Sequence, residues 1–413
     1  MNFLSKPTQS GLYILIIQSL ATRTSSFIVP HRIISSTSRA SRFLSKFNMV
    51  TGGFDSTTPP AVPSSASIPN DSAAAIVDTS TLTLLEHINL NVPNHDYILP
   101  FYVHILGLGL DPRKASNLLT GKGTVWANCG ASQFHLPYGD EAQVIPGSIG
   151  LRYASLDPML QRLKQIEEEP LERCFASYEY HDEPSSSSSP QRPFIRLQDL
   201  YGNVFYCRQS ASVQETDTAT DSTGPSRDLR QPLVSNTANH VETLGDLAIK
   251  YGMEESECQG IDYVEFKCPM GMADKIALFY DSVLDATTCV VQDKQDKVAV
   301  IGFGRVDASG KAEQCLLFRE TSESIPLYDG HHIALYVGQS GSDFEQAFKN
   351  CETAGIVWVN PRFSDKASDL NSAKEWHQFR FKDIIDMDSG QTIFELEHEV
   401  RSLTHSAWPG REQ

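Results

Sequence analysis

The chain has 413 residues, 40% of them hydrophobic, so it is long enough for two or three domains that each bury a core. Its 51 acidic and 34 basic residues give a formal net charge of −17, which argues against a nucleic-acid partner. The eight cysteines form no C-x-x-C pair, which argues against a zinc knuckle or a disulfide framework and favours a reducing compartment.

The first 48 residues predict a targeting leader. No acidic residue precedes Asp55, while serines, lysines and arginines are frequent. The apolar run at residues 11–21 is too short to span a membrane but has the length of a signal-peptide core. We expect a plastid protein, with a mitochondrial presequence or initiation at Met49 as alternatives. Residues 49–80, rich in Ser, Thr, Pro and Ala, predict a disordered linker, and no membrane association is expected.

The rest of the chain is predicted to form two domains that repeat one another loosely. The first covers residues 81–210 and the second residues 257–402, followed by a tail at 403–413. The acidic, Ser- and Thr-rich stretch at 211–256 reads as the linker between them. Internal duplication restricts the folds that the chain can adopt.

Each half shows the same order of elements twice. In the first half an alternating strand at 85–92 leads into an amphipathic helix and short strands, and a new strand at 148–153 begins the order again. The second half repeats this from strands at 261–268 and 332–337. The pattern therefore predicts four βαβββ modules.

Several motifs carry a family resemblance. Residues 86–92 read E-H-I-N-L-N-V, residues 330–335 read G-H-H-I-A-L, and a Phe-Tyr pair lies in the first helix of each half. The chain resembles the glyoxalase I and bleomycin-resistance branch of the vicinal-oxygen-chelate superfamily, which also contains extradiol dioxygenases. The resemblance implies an α+β fold in which four βαβββ modules form two tandem domains with cupped mixed sheets. It covers most of residues 84–400.

In that family four strand positions supply metal ligands. The resemblance carries them to His87 and His135 in the first half and to His332 and Glu395 in the second. Strand alternation directs all four side chains to the face opposite the helices, as a ligand requires. The other four positions have lost their ligands and fall on Ser148, Tyr206, Tyr263 and about Leu317.

Neither half keeps more than two of these ligands, so modules that paired within each half would leave two incomplete sites. The family resemblance implies that modules can also pair across the two domains: if the outer modules share one cup and the inner modules share another, the four ligands converge. The hypothesis is therefore one metal site and one degenerate cup. The degenerate cup would be lined by polar residues that could hold an anionic small molecule or form a solvated face: Ser148, Arg152, Tyr206, Arg208, Tyr263, Glu265 and Lys267.

The resemblance implies a glyoxalase-like lyase that binds a divalent metal (Zn²⁺, Ni²⁺, Mn²⁺ or Fe²⁺) and a small oxygenated substrate. Glu395 would be both ligand and proton-transfer base, and Glu397 a substitute ligand. Two imidazoles with Glu395 would instead match the facial triad of an extradiol-type dioxygenase. A third alternative is a metal-free protein that binds a small molecule. Because both domains lie in one chain, a monomer would suffice.

Overall fold

The computed structural model describes residues 81–111, 113–168, 174–182, 193–210, 256–293, 296–306, 312–338 and 340–408. The predicted leader and disordered linker, and the inter-domain linker up to residue 255, lie outside these ranges. None of the helices in the described ranges is long and apolar enough to cross a membrane.

The first half forms two consecutive modules, each opening with a strand and a helix. Strand β1 is buried along its whole length, and α1 is wound more widely than an α-helix, as a π-helix. The first module contains β1 (Leu82–Asn89), a 3-10 turn (His95–Tyr97), α1 (Ile98–Ile105), β2 (Gly109–Leu110), α2 (Asn117–Thr120), β3 (Thr124–Cys129) and β4 (Ser132–Pro137). The second contains β5 (Gly147–Tyr153), α3 (Asp157–Glu168), β6 (Phe175–His181), β7 (Phe194–Asp199) and β8 (Val204–Gln209).

The second half repeats this order, except that in its last module an isolated bridge from Val357 to Phe381 takes the place of one strand. The third module contains β9 (Cys258–Pro269), α4 (Ala273–Leu284), β10 (Thr288–Asp293), β11 (Asp296–Val306) and β12 (Ala312–Thr321). The fourth contains β13 (His332–Val337), α5 (Gly341–Thr353), α6 (Leu370–Trp376), β14 (Gln378–Ile385) and β15 (Thr392–Ser402). Helix α5 begins at a capping box of Ser340 and Asp343, in which two side chains satisfy free backbone N–H groups.

The modules pair across the two halves. The outer sheet has seven strands in the order β14-β15-β13-β1-β4-β3-β2, and the inner sheet has eight in the order β10-β11-β12-β9-β5-β8-β7-β6. At the centre of each sheet two module-opening strands run antiparallel, β1 with β13 and β5 with β9. The predicted α+β architecture of four βαβββ modules is confirmed, and so is the hypothesis that outer modules join outer and inner join inner.

Helices cover one face of each sheet and leave the other face as a cup. Beneath the outer sheet, the Tyr280 hydroxyl of α4 lies 2.6 Å from Nε2 of His398. The His398 ring in turn stacks on Phe381 with centroids 4.1 Å apart. Because side chains alternate along a strand, the neighbours Glu397 and Glu399 point to the opposite face, into the cup.

The inner cup is filled by its own side chains. Tyr263 is fully buried in an apolar cluster with Val298, Val300, Cys315 and Leu317. Its ring lies against Gly150, where an added Cβ would come within 2.2 Å of a ring carbon. The inner cup thus carries an apolar cluster at the place where the outer cup carries its polar residues.

Part of the predicted C-terminal tail packs onto the fold. Trp408 is buried and its ring lies 4.6 Å from that of Tyr336 on β13. Leu84 and Ala131 complete this cluster.

Candidate metal centre

Strand register brings the polar residues of the outer cup together in two adjacent rows. In one row, Ala334 on β13 lies between His87 and Glu399; in the next, His332 lies between Asn89 and Glu397. On the other side of β1 the rows continue to Gln133 and His135 on β4. Neighbouring strands lie about 5 Å apart and the two rows about 7 Å apart along the strands, so residues in adjacent rows are within side-chain reach.

The structure brings the three predicted histidines together. His87, His135 and His332 are 0%, 7% and 1% exposed. The rings of His87 and His332 meet edge to face, with centroids 5.6 Å apart and planes inclined at 72°. The rings of His87 and His135 stack, with centroids 3.7 Å apart and planes inclined at 23°.

Glu395 is not part of this group. Its side chain is 51% exposed and lies 3.6 Å from Nζ of Lys382. It is four residues from Glu399 along β15, which corresponds to about 13 Å of extended strand. The prediction that Glu395 is a ligand and the catalytic base is therefore wrong: its face of the strand was assigned correctly, but its position along the strand was not.

Glu399 provides the carboxylate instead. Its Oε2 lies 4.0 Å from Nε2 of His87 and 3.8 Å from Nε2 of His332. The small side chain of Ala334, between His87 and Glu399 in the same row, leaves room for the three groups to approach one another. His87, His332 and Glu399 thus form a buried group with metal-ligand chemistry.

Two buried arginines hold the carboxylates of the cup. Nε of Arg401 donates to Oε1 of Glu399 at 2.6 Å, and its Nη1 donates to Oε2 of Glu86 at 2.8 Å. Nη2 of Arg380 donates to Oε2 of Glu399. Glu86 also contacts Nδ1 of His87, so this carboxylate orients the imidazole.

The protonation states suit metal ligands. Burial lowers the pKa of His332 and of His135 well below the usual value, so both imidazoles are neutral. Burial alone would raise the pKa of Glu399, but Arg380 and Arg401 outweigh it and hold this pKa well below its usual range. Metal ions bind neutral imidazole and ionised carboxylate.

The donor atoms fit a metal ion. Nε2 of His87 is buried and has no hydrogen-bond partner among the described residues. The ligand atoms of His87, His332 and Glu399 all lie within 4.8 Å of one another. Ligands bound at 2.0 to 2.2 Å lie about 3 Å apart around an ion, so shifts of about 1 Å would close the set.

A second group is formed by Glu86, His87 and His135, whose ligand atoms also lie within 4.8 Å of one another. Its geometry suits an ion less well. Imidazole nitrogens bind metals in the plane of the ring, and the planes of His87 and His135 are nearly parallel. The assignment of His135 as a ligand remains a prediction.

His135 is held between two rings and one amide. Trp126 stacks on its other side, with centroids 4.7 Å apart and planes at 11°. Its Nε2 lies 3.1 Å from Oε1 of Gln133, and Nε2 of Gln133 donates to Asp111 and Asn128. Because both donations fix the orientation of the Gln133 amide, Nε2 of His135 carries the proton and Nδ1 carries the lone pair.

The predicted residues of the inner cup lie on the inner sheet, away from the histidines. Register places Tyr263 opposite Gly150, and Tyr206 beside Gly150 on its other side. The guanidinium of Arg208 lies 5.5 Å from the Tyr263 ring, and Arg152 pairs with Asp262 at 3.2 Å. Within the described ranges, both groups of side chains that suit a metal belong to the outer cup. A role of Arg152, Tyr206, Arg208 and Tyr263 in substrate binding remains a prediction.

The sequence reasoning missed Glu399, Glu86 and the two arginines. One signal was available for Glu399, since Glu395, Glu397 and Glu399 alternate along one strand and therefore share a face. Glu86 has the opposite parity to His87 in a regular strand. It reaches the cup because the pairing of β1 with β13 is irregular between Leu85 and His87.

No protein-family model matches the sequence, and no curated protein matches it either. Among solved structures, a mutant of glyoxalase I from Zea mays is similar, with 12% identity, a TM-score of 0.44, and 79% of this chain and 95% of that chain covered. A 2,2',3-trihydroxybiphenyl 1,2-dioxygenase from Sphingomonas wittichii has 13% identity, a TM-score of 0.25 and coverage of 78% and 90%. A lactoylglutathione lyase from Agrobacterium tumefaciens has 17% identity, a TM-score of 0.23 and coverage of 31% and 93%.

These likenesses do not bear on substrate or reaction. The fold rests on the chain's own topology: four βαβββ modules, paired two by two through antiparallel opening strands, form two cupped sheets. The chain has the vicinal-oxygen-chelate fold, with its outer modules sharing one cup and its inner modules sharing the other.

Proposed function

We propose that this protein is a metal-dependent enzyme that acts on a small substrate with two adjacent oxygen atoms. The observation that carries the proposal is the convergence of His87, His332 and Glu399, all buried, on one point of the outer cup. Two imidazoles and a carboxylate are a common ligand set for divalent first-row metals and leave coordination positions open for substrate.

A bound divalent ion would act as a Lewis acid that polarises the substrate oxygens. The chain's own residues prepare the ligands for this role. The contact from Glu86 to Nδ1 of His87 leaves Nε2 of His87 as the nitrogen that would hold the ion. Arg401 and Arg380 keep Glu399 ionised and fix its carboxylate.

We assign proton transfer to His135. It lies beside the ligand His87, its hydrogen bond to Gln133 leaves the lone pair on Nδ1, and burial keeps this imidazole unprotonated by lowering its pKa well below the usual value. Such a base can take the proton from the carbon next to a carbonyl and return it to the neighbouring carbon, which moves the double bond without net oxidation. The leading proposal is therefore a glyoxalase-like isomerisation.

A ring-cleaving dioxygenase is the second candidate, and one observation favours it. The set of His87, His332 and Glu399 has the composition of the two-histidine, one-carboxylate facial triad of non-haem iron oxygenases. In that reaction O₂ is the oxidant and a catechol is the substrate that is oxidised.

The test combines metal binding with two assays. Purified full-length protein is dialysed against Zn²⁺, Ni²⁺, Mn²⁺ or Fe²⁺, and we expect one ion per chain. Conversion of the methylglyoxal–glutathione adduct is then compared with oxygen consumption on catechols. Activity in the first assay supports the isomerase, and activity in the second supports the dioxygenase.

Glu399→Gln and Glu395→Gln form a matched pair for this test. Glu399→Gln removes a ligand charge and is expected to weaken binding of the ion strongly, whereas Glu395→Gln changes a half-exposed side chain outside the group. Equal metal affinities for the two variants, or a parent protein that binds no divalent ion, would contradict the proposal. The second result would favour a metal-free binding protein.

A further inference from the structure

A single glutamine side chain joins the inner sheet to the strand that carries His87. Gln314 lies on β12 and is buried. Its Oε1 accepts from the backbone N–H of Leu85 at 3.0 Å, and its Nε2 donates to the backbone oxygen of Leu85 at 3.3 Å. Nε2 also lies 3.1 Å from Oγ of Ser132 and 3.0 Å from the backbone oxygen of Ile261, so its two hydrogens are shared among three acceptors. The amide thus bonds β1 as a peptide group of a neighbouring strand would.

This contact falls where β1 departs from regular pairing. Leu85 is the partner of Leu335 and His87 is the partner of Ala334, so Glu86 has no partner residue across the strand. An extra residue of this kind is a β-bulge, which changes the direction in which the adjacent side chains point. It allows Glu86 and His87, although consecutive, to meet in one cup.

The hydrogen bonds fix which end of the amide points where. The N–H of Leu85 requires an oxygen, while the carbonyl oxygens of Leu85 and Ile261 require N–H donors. Ser132 strengthens the arrangement by donating to the oxygen of Leu85 at 2.8 Å. A hydrocarbon of the same shape would remove the acceptor from the N–H of Leu85 and this donor from the oxygen of Ile261.

We propose that Gln314 is a positioning residue for His87. By holding Leu85 it fixes the bulge, and the bulge keeps Glu86 on Nδ1 of His87, so that the proton stays on Nδ1 and Nε2 faces Glu399. The inference deepens the proposed function, because Nε2 of His87 is the atom assigned to the metal. In the metal-free protein, the same arrangement is expected to hold the proton on Nδ1 of His87.

The first test reads the tautomer of His87 without metal. Full-length protein with ¹⁵N-labelled histidine is studied by long-range ¹H–¹⁵N NMR at neutral pH, and His87→Gln identifies the signal. We expect the Nδ1–H tautomer in the parent and a mixture of tautomers in Gln314→Met. Gln143→Met is the matched control, because Gln143 is also buried and also bonds backbone groups, those of Asn91 and Asp329, but lies away from the bulge.

Gln314→Glu serves if the methionine variant does not fold, because it keeps the shape and the acceptor for Leu85 but loses the donors. A His87 signal that is unchanged in the folded Gln314 variant, or changed equally in Gln143→Met, would overturn the proposal. So would a parent protein without the Nδ1–H tautomer.

The second test measures Co²⁺ binding through its visible absorption. We expect Gln314→Met to bind Co²⁺ at least about tenfold more weakly than Gln143→Met, as is typical for residues that orient a ligand. Equal affinities would count against the positioning role. If the parent binds no Co²⁺ while the tautomer still responds to Gln314, the proposed function fails and the positioning role stands.

Discussion

Ala334 is the register partner of both His87 and Glu399, one on each neighbouring strand, so the two polar side chains meet above a single methyl group. Nε2 of His87 and Oε2 of Glu399 are 4.0 Å apart across it. Space for an ion therefore depends on the smallest side chain of the row.

Replacing Ala334 by Leu should fill this space. We expect metal binding to be lost, because the larger side chain would occupy the place of the ion, and stability to fall by about 1–3 kcal/mol from overpacking. Equilibrium dialysis and urea unfolding measure the two effects. Ala299→Leu is the control, a fully buried alanine on β11 of the inner sheet, which should lose comparable stability and keep the metal.

His135→Phe should separate chemistry from metal binding. Phenylalanine keeps the stack between Trp126 and His87 but offers no lone pair. We expect kcat to fall by roughly 10²–10⁴-fold, the usual contribution of a general base, with little change in metal affinity. A comparable loss of metal affinity would instead identify His135 as a ligand.

Gly150→Ala should destabilise the inner sheet alone. The new Cβ would lie 2.2 Å from the Tyr263 ring, which is fully buried and cannot move aside without disturbing the cluster around it. We expect a loss of about 1–3 kcal/mol in unfolding free energy. Tyr263→Leu in the same chain should recover part of this loss, and metal affinity should stay at the parent value. If the alanine has no effect, the ring does not pack there.

Acid should destabilise the fold partly through His405. Burial, and then the nearby Arg401, lower its pKa from 6.5 to about 4. Between these two values the unfolded chain binds a proton that the folded chain does not. The contribution of His405 to the unfolding free energy is therefore complete above pH 6.5 and is lost as the pH falls towards 4. The shift corresponds to up to about 3 kcal/mol.

We therefore expect His405→Gln to lower the slope of unfolding free energy against pH in this window, with no change in slope above it. Denaturant unfolding at a series of pH values measures both slopes. Parallel curves for parent and variant would rule out this contribution.

The fold could be predicted from the sequence because its signals are local and repeated. Strand alternation, helix periodicity and the recurrence of one order of elements gave the four modules. The pairing of outer with outer modules is predicted from the family resemblance together with the division of the four ligand positions, His87 and His135 in the first module and His332 and Glu395 in the last. The strand order has this pairing, and it brings the three histidines together.

The carboxylate could not be placed in the same way. Alternation tells which face of β15 a residue occupies, but Glu395, Glu397 and Glu399 all share one face. Which of them reaches the histidines depends on the parallel register that sets His332 beside Glu397. That register is a long-range property, and so are the bulge at Leu85 and the reach of Gln314 from the other sheet.

In the sequence, the strands of the inner sheet lie between the first and last strands of the outer sheet, and this arrangement sets the order in which the two sheets can form. Strands β5 to β12 are consecutive in the chain and complete the inner sheet among themselves, whereas β1 has to wait for β13. During synthesis from the N-terminus, His87 therefore emerges early and meets His332 only when the last module has left the ribosome. A chain that ends before β13 has strands β1 to β4 but lacks His332 and Glu399, so only a finished molecule would capture an ion.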